Sequence, residues 1–168
     1  IKNFKTGHAL FNNINGTVKD LIIDASCSFE GLAVNAPLAL KSTGTISNIS
    51  NKASVNYNAA SFSSAVILGG VVANVAGGKI ENCTNDGAIT AKSEGTTLGM
   101  AIGGVAGRLA GAMNNCLNNA AINISAKYVS KLSTIEVTAN VAPCVGGLVG
   151  LGGAGFSMSN SDNKGKVV

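Results

Sequence analysis

The stretch Lys79-Ile-Glu-Asn-Cys-Thr-Asn-Asp-Gly-Ala-Ile89 decides the fold, because the chain repeats it with small variations. Close copies are Ala112-Met-Asn-Asn-Cys-Leu-Asn-Asn-Ala-Ala-Ile122 and Ser157-Met-Ser-Asn-Ser-Asp-Asn-Lys-Gly-Lys-Val167. A looser copy occupies residues 45–55 and a degenerate copy residues 17–27. A single unit of this size does not bury a core by itself, so five copies predict units that stack on one another.

A Gly-rich apolar run precedes three of these copies, at residues 69–75, 103–109 and 146–151. The interval between successive diglycines is 34 residues and then 43. The excess lies between Ile122 and Gly146, where a long excursion interrupts the repeat. One solenoid with one inserted loop explains this spacing better than two unrelated domains.

Alternation of about two residues within each copy predicts a short strand, a turn and a second short strand. The Gly-rich run adds a third strand. Helical repeats share this period, but the abundance of Gly and Asn disfavours them. The sequence therefore predicts an all-β protein, a parallel β-helix or β-solenoid of about five stacked rungs over residues 16–168. Residues 1–15 have apolar side chains at roughly helical spacing, which predicts an N-terminal cap over the first rung.

In such a stack, equivalent residues lie above one another at intervals of about 4.8 Å. Two columns contain apolar or small residues and are predicted to face inward: Val18, Ile46, Ile80, Met113 and Met158, then Leu21, Ile49, Cys83, Cys116 and Ser161. Two further columns are predicted to form asparagine ladders: Ile23, Asn51, Asn85, Asn118 and Asn163, then Asp20, Asn48, Asn82, Asn115 and Asn160. Asn suits these positions because it tolerates left-handed backbone and hydrogen-bonds to its own kind in a stack.

Composition excludes several classes of function. Aromatic residues are only 4% of the 168 residues and charged residues only 12%, about half the usual ~25%. A net charge of +4, spread over scattered lysines, gives no basic stripe and excludes nucleic acid as a partner. The longest apolar stretch, residues 141–156, is too short and too rich in Gly for a membrane span. The chain begins at Ile1 rather than Met, so we expect a processed or excised piece.

The four cysteines are too widely spaced for a zinc site, and His8 is the only histidine. We expect neither a metal nor a cofactor. Cys83 and Cys116 share a column on successive rungs, but side chains in register on parallel strands point the same way. Their Cβ atoms should stay farther apart than a relaxed disulfide needs, which predicts two buried free thiols. Cys27 and Cys144 lie in other columns and should also be unpaired.

The Gly-rich runs, taken with the Asn-Cys-x-Asn phrase, resemble the GLUG motif of bacterial secreted and surface proteins. Gly147-Leu148-Val149-Gly150 matches the signature best, Gly104-Val105-Ala106-Gly107 matches well, and Gly70-Val71-Val72-Ala73 departs at its last position. This resemblance covers roughly residues 65–168. It implies a β-rich solenoid in a secreted or cell-surface protein, often adhesin-like. The motif also occurs in bacterial IgA-cleaving metallopeptidases, whose His-Glu-x-x-His signature is absent here.

Catalytic chemistry has weak support in the sequence. Asp24 and Asp86 share a column with Lys52 between them, about 10 Å apart, which could suit an inverting glycosidase pair. The column continues as Asn119 and Lys164, as in a mixed-charge surface row. A carbohydrate-active enzyme using Asp24, Asp86 or Asp162 is the alternative hypothesis, and a passive spacer is a third.

Recognition is the favoured hypothesis, because loops inserted on one face of a repeat often bind ligands. In the excursion at residues 123–133, Lys127, Tyr128 and Lys131 are the candidate ligand-binding residues, although the loop could instead be a lid over a hydrophobic edge. The connector at residues 56–68, with Tyr57 and Phe62, is the second candidate. We therefore expect a non-enzymatic, adhesin-like module, extracellular or on a bacterial cell surface, that binds a glycan or a host protein.

Overall fold

The computed structural model describes residues 1–59, 65–93, 99–126 and 143–168, and every regular element in these ranges is a β-strand. In chain order the strands are β1 (Lys5–Thr6), β2 (Phe11–Ile14), β3 (Thr17–Ile23), β4 (Ser28–Glu30), β5 (Val34–Asn35), β6 (Ala39–Ser42), β7 (Thr45–Asn51), β8 (Ser54–Ala59), β9 (Val66–Gly69), β10 (Val72–Val75), β11 (Lys79–Glu81), β12 (Thr84–Asn85), β13 (Ile89–Ser93), β14 (Met100–Gly103), β15 (Ala106–Leu109), β16 (Ala112–Asn114), β17 (Leu117–Asn118), β18 (Ile122–Ala126), β19 (Pro143–Gly146), β20 (Val149–Gly152), β21 (Ser157–Ser159) and β22 (Asp162–Asn163).

These strands form four parallel sheets that the chain visits in a fixed order. Sheet 1 contains β1, β4, β8, β13 and β18, and sheet 2 contains β5, β9, β14 and β19. Sheet 3 contains β2, β6, β10, β15 and β20. Sheet 4 contains β3, β7, β11, β12, β16, β17, β21 and β22. Each passage through the sheets is one coil, and each strand pairs with its equivalents in the neighbouring coils. The predicted parallel β-solenoid of about five rungs is confirmed.

The register of sheet 4 confirms the predicted columns. Ile80 pairs with Ile46 on one side and with Met113 on the other. Asn85 pairs with Asn51 and Asn118 in the same way. The degenerate first copy also stacks in register, because Val18 lies opposite Ile46 and Ile23 opposite Asn51. Stacking therefore follows the sequence repeat residue by residue.

The interior is divided into two apolar clusters. One lies mainly between sheets 3 and 4 and includes Leu38, Ile80 and Leu109, each fully buried. The other lies between sheets 1 and 2 and includes Leu68 and Ile102. Most members are small or medium aliphatic side chains, with a few Cys and Met and the aromatic Phe29 and Tyr57. A coil of short strands thus closes over a thin core, which agrees with the lack of Trp and the scarcity of aromatic residues.

The structure differs from the sequence pattern in two places. Residues 1–15 have apolar side chains at roughly helical spacing but contain two short strands, because β1 pairs with β4 and β2 pairs with β6. They form part of the first coil at the end of the stack, where Phe4 and Phe11 remain partly exposed. The Gly-rich runs are also not single strands. In the third coil, β9 ends at Gly69 and β10 begins at Val72, so the run turns the corner between sheets 2 and 3. A full coil therefore visits four sheets rather than three.

Candidate functional site

A buried ladder of asparagine amides runs through the stack where sheet 4 turns into sheet 1. The amide nitrogen Nδ2 of each ladder residue donates to Oδ1 of the next: Asn51 to Asn85 at 2.8 Å, Asn85 to Asn118 at 2.9 Å, and Asn118 to Asn163 at 2.7 Å. Asn51, Asn85 and Asn118 have no exposed surface. The predicted inner ladder is thus confirmed, with every donor pointing toward the C-terminal coil.

Each ladder amide also closes the corner of its own coil. Asn85 Nδ2 donates to the carbonyl of Gly87 at 3.0 Å, and Asn85 Oδ1 accepts from the Gly87 amide at 3.2 Å. Asn51 makes the same two bonds with Ala53. Both amide hydrogens and both oxygen lone pairs of Asn85 are therefore used, as a buried amide requires. Asn suits this corner because its short side chain offers both a hydrogen-bond donor and an acceptor.

The first glycine of each GLUG-like run lies directly against a ladder amide. A Cβ on Gly104 would come within 2.3 Å of Asn118 Cγ, and a Cβ on Gly147 within 2.3 Å of Asn163 Cγ. Gly70 has the same relation to Asn85, at 2.4 Å. The glycine and the asparagine of the repeat, which are about 15 residues apart in sequence, therefore specify one contact across the coil.

The last glycine of the run has a different role. A Cβ on Gly150 would lie 2.4 Å from the backbone nitrogen of Ile102, and one on Gly107 would lie 2.8 Å from Ile67 Cγ2. These positions form a seam where sheets 2 and 3 approach each other closely. Ala73, which departs from the signature in the third coil, is fully buried at the equivalent position. The two residues between the glycines, such as Val105 and Ala106, lie in the core.

A second row of side chains lies on the outside of sheet 4, and we call it the carboxamide row. Its members are all exposed and all have left-handed backbone: Asp20 (φ 57°), Asn48 (φ 55°), Asn82 (φ 53°), Asn115 (φ 51°) and Asn160 (φ 48°). Asn48 Nδ2 donates to Asp20 Oδ1 at 2.8 Å, and Asn115 Nδ2 donates to Asn82 Oδ1 at 2.7 Å. The left-handed turn thus belongs to the exposed ladder, whereas the buried ladder has ordinary backbone.

Hydroxyl and amide groups flank the carboxamide row on sheet 4. The outward positions beside it include Ser47, Ser50, Thr84, Asn114 and Ser159. Ser159 Oγ and Asn160 Nδ2 both donate to Asn114 Oδ1, at 3.1 and 3.2 Å. The sequence analysis did not single out these flanking residues, although the two-residue alternation within each copy could have identified them. Together with the row they make sheet 4 a polar surface, on which two lysines are paired with carboxylates, Lys19 with Asp20 and Lys79 with Glu81.

The acidic residues of the enzyme hypothesis lie in two different columns of the stack. Asp24 and Asp86 do share a column with Lys52 between them, and Asp86 Oδ1 accepts from Asn119 Nδ2 at 2.8 Å. Hydrogen bonds from the backbone and side chain of Ser26 hold the pKa of Asp24 below its usual value. An acid that ionises so readily is a poor proton donor near neutral pH. Asp162 lies in another column, opposite Leu117.

The predicted recognition loop lies outside the described residues. This applies to Lys127, Tyr128 and Lys131, so their role in ligand binding stays a prediction. Phe62 of the second candidate connector also lies outside. Tyr57 of that connector is described and is only 7% exposed, because it packs into the cluster between sheets 1 and 2. Tyr57 is therefore a core residue and not a surface residue for ligand binding.

Cys83 and Cys116 are buried free thiols, as predicted from their column. Cys83 donates to the Glu81 carbonyl at 3.2 Å and Cys116 to the Asn114 carbonyl at 3.4 Å. A hydrogen bond with Cys116, together with burial, raises the pKa of the Cys83 thiol. Cys27 is likewise a buried free thiol. These side chains act as small apolar groups with satisfied S–H donors.

Thiol accessibility gives a direct test of this arrangement. In a Cys27→Ser/Cys144→Ser variant, we expect Cys83 and Cys116 to resist an aromatic disulfide reagent in native buffer, because both are buried. After unfolding without reductant, two thiols should react per chain. A lower count would mean that the two cysteines form a disulfide and that the register of sheet 4 is wrong.

In residues 1–59, 65–93, 99–126 and 143–168, no group of three or more His, Cys, Asp or Glu side chains could hold a metal ion. Over the same ranges, no helix has the length and apolar character to cross a membrane.

Four parallel sheets, a repeated register and two asparagine ladders define a β-solenoid repeat protein. Residues 142–168 match the family model described as the GLUG motif. The last coil therefore carries a GLUG motif, as the resemblance of Gly147-Leu148-Val149-Gly150 predicted. Neither the curated proteins nor the solved structures include a significant match to the chain.

Proposed function

We propose that this chain is a non-enzymatic recognition module of a secreted or cell-surface protein, and that it binds a glycan along sheet 4. The observation that supports this function is the carboxamide row. It places exposed amide groups at regular intervals of about 4.8 Å on a rigid sheet. The GLUG motif supports an adhesin-like setting, since the resemblance implies secreted and surface proteins.

The chemistry of the row suits a polyhydroxylated ligand. A carboxamide both donates and accepts hydrogen bonds, and a hydroxyl does the same, so each can pair with sugar hydroxyls. The stack fixes these groups in advance, because the backbone N–H of Asn82 donates to the Asn114 carbonyl and that of Asn115 to the Ser159 carbonyl in the next coil. A preorganised surface loses little entropy on binding. A repeating polymer lying along the stack would meet the same groups in successive coils.

The role of the carboxamide row in glycan binding can be tested with substitutions that keep the backbone conformation. Asn82→Gly/Asn115→Gly removes two exposed amides and keeps the left-handed backbone that glycine adopts readily. On a glycan array that includes mucin, we expect the native chain to bind a subset of glycans. The double variant should bind these at least about tenfold more weakly, because two or more hydrogen bonds are lost.

Asn3→Gly is the matched control. Asn3 is exposed and also has a left-handed backbone (φ 57°), but it lies outside the row. Equal losses in the control and the double variant would contradict binding at sheet 4. Failure of the native chain to bind any glycan would instead favour a passive spacer, and turnover of a polysaccharide would favour an enzyme.

A further inference from the structure

Charge is unevenly distributed among the four sheets. Every described acidic residue lies on sheet 1, on sheet 4 or at the corner between them: Asp20, Asp24, Glu30, Glu81, Asp86 and Asp162. The described strands of sheet 3 contain no acidic residue, yet they present two exposed cations, Lys41 and Arg108. Among the described strands, those of sheet 3 therefore have the largest unbalanced positive charge, since sheet 1 has Lys5 and Lys92 against Glu30.

The two cations belong to one column. Asn74 pairs with Lys41 on one side and with Arg108 on the other, so the three residues follow one another in successive coils. Asn13 extends the column beyond Lys41, and Leu151 extends it beyond Arg108. At about 4.8 Å per coil, the backbones of Lys41 and Arg108 are roughly 10 Å apart. This separation is comparable to the repeat of a disaccharide in an extended polysaccharide.

Lys41 and Arg108 take part in none of the ion pairs found among the described residues, so both can bind an external anion. The ion pairs found among the described residues join Lys19 to Asp20 and Lys79 to Glu81, both on sheet 4. Arg108 is the only arginine in the chain. Its planar guanidinium can hold a carboxylate or sulfate with two parallel hydrogen bonds, which a lysine cannot do. The Asn74 amide between the cations can pair with a sugar hydroxyl.

We infer that the outer surface of sheet 3 binds an anionic polysaccharide that lies along the stack. Arg108 and Lys41 each hold one carboxylate or sulfate, two coils apart, and Asn74 contacts the sugar between them. This inference rests on the proposed glycan binding but places an acidic ligand on a different face. The shared chemistry is an anion repeated along a polymer, whether from uronate or from sulfated sugars.

The experiment measures binding of the full 168-residue chain to four polymers by calorimetry. Polygalacturonate supplies carboxylates, dextran sulfate supplies sulfates, dextran is neutral, and duplex DNA is a polyanion that is not a polysaccharide. We expect binding to at least one of the first two that is stronger than binding to dextran or DNA. Arg108→Gln should weaken it about tenfold, as for a lost charge-assisted pair. Arg108→Lys should give an intermediate loss, and Lys41→Gln a smaller loss than Arg108→Gln, because a lysine does not make two parallel hydrogen bonds to one anion.

Lys92→Gln is the matched control, because Lys92 is an exposed cation on sheet 1 and its loss changes the net charge equally. Its affinity should stay within about twofold of the native value. An equal loss in this control, equal binding to DNA, or no binding to either acidic polymer would overturn the inference. Binding of neutral glycans that responds to Asn82→Gly/Asn115→Gly but not to Arg108→Gln would preserve the proposed function and exclude the acidic site.

Discussion

Replacing Gly104 by Ala is expected to lower the free energy of unfolding by about 4 kcal/mol or more, or to prevent folding. The new Cβ would come within 2.2 Å of the Gly147 carbonyl oxygen and within 2.3 Å of Asn118 Cγ. Neither obstacle can move independently, because Gly147 belongs to the next coil and Asn118 is held in the buried ladder. Chemical denaturation of the two proteins measures the difference.

Gly77→Ala is the control for this experiment. A Cβ at Gly77 meets no atom within 4 Å, and the backbone there is not left-handed. The same substitution should therefore leave stability within about 0.5 kcal/mol of the native value, or raise it slightly by restricting the unfolded chain. A small effect at both glycines would disprove the contact between Gly104 and Asn118.

Asn85→Ala is expected to cost about 3–5 kcal/mol of unfolding free energy. The substitution removes a fully buried amide, so Asn51 Nδ2 and Asn118 Oδ1 each lose one of their two hydrogen bonds and both backbone groups of Gly87 lose their bond to Asn85. Water cannot compensate easily in a closed interior. Denaturation midpoints, compared with those of the exposed-row variant Asn82→Gly, measure the cost. Similar small losses at both positions would show that the inner ladder contributes little.

Asn85→Asp refines this prediction, because it keeps the shape and removes both donors. The new carboxyl would face the Gly87 carbonyl and Asn118 Oδ1, so burial and these acceptors should raise its pKa above the unfolded value. A raised folded pKa means that stability is retained at low pH and lost as pH rises. The loss of unfolding free energy relative to the native chain should therefore be larger near pH 8 than near pH 4. A deficit that does not change with pH would contradict the burial of this side chain.

The columns of sheet 4 could be predicted from sequence, because register in a stack follows directly from the repeat. Once Asn85 and Asn118 are aligned in sequence, parallel pairing places one above the other. The same reasoning identified Cys83 and Cys116 as column neighbours. These contacts join equivalent positions of the repeat, so alignment of the copies is enough to predict them.

Contacts between different parts of a coil could not be predicted in the same way. The apposition of Gly70 and Asn85 depends on where each corner falls, and β-corners leave no periodic signal. Apolar spacing near Phe4 and Phe11 resembles that of a helix because two short strands and a helix turn give similar patterns. The burial of Tyr57 cannot be predicted, because a strand followed by a connector gives no sign of which side is buried.

The candidate sites show the same division. The carboxamide row was visible as an alignment of asparagines, but its exposure became clear only from the left-handed turn. The column of Lys41, Asn74 and Arg108 was overlooked, although Asn74 and Arg108 occupy the same offset from the diglycines. When the residue in a column differs from coil to coil, the column is not visible as a ladder in the sequence. Such a site is found only when the charges on the different sheets are compared.

The uniform direction of the buried ladder gives the stack an electrical polarity. Each amide group has a dipole of about 3.5 D, the value of a peptide unit, and the four dipoles from Asn51 to Asn163 point the same way. Aligned hydrogen-bonded groups also polarise one another in a medium of low dielectric constant. The positive pole lies at Asn163, where the amide is exposed, and the negative pole lies at Asn51. Anions are therefore favoured at the C-terminal end of the ladder, and cations at the other end.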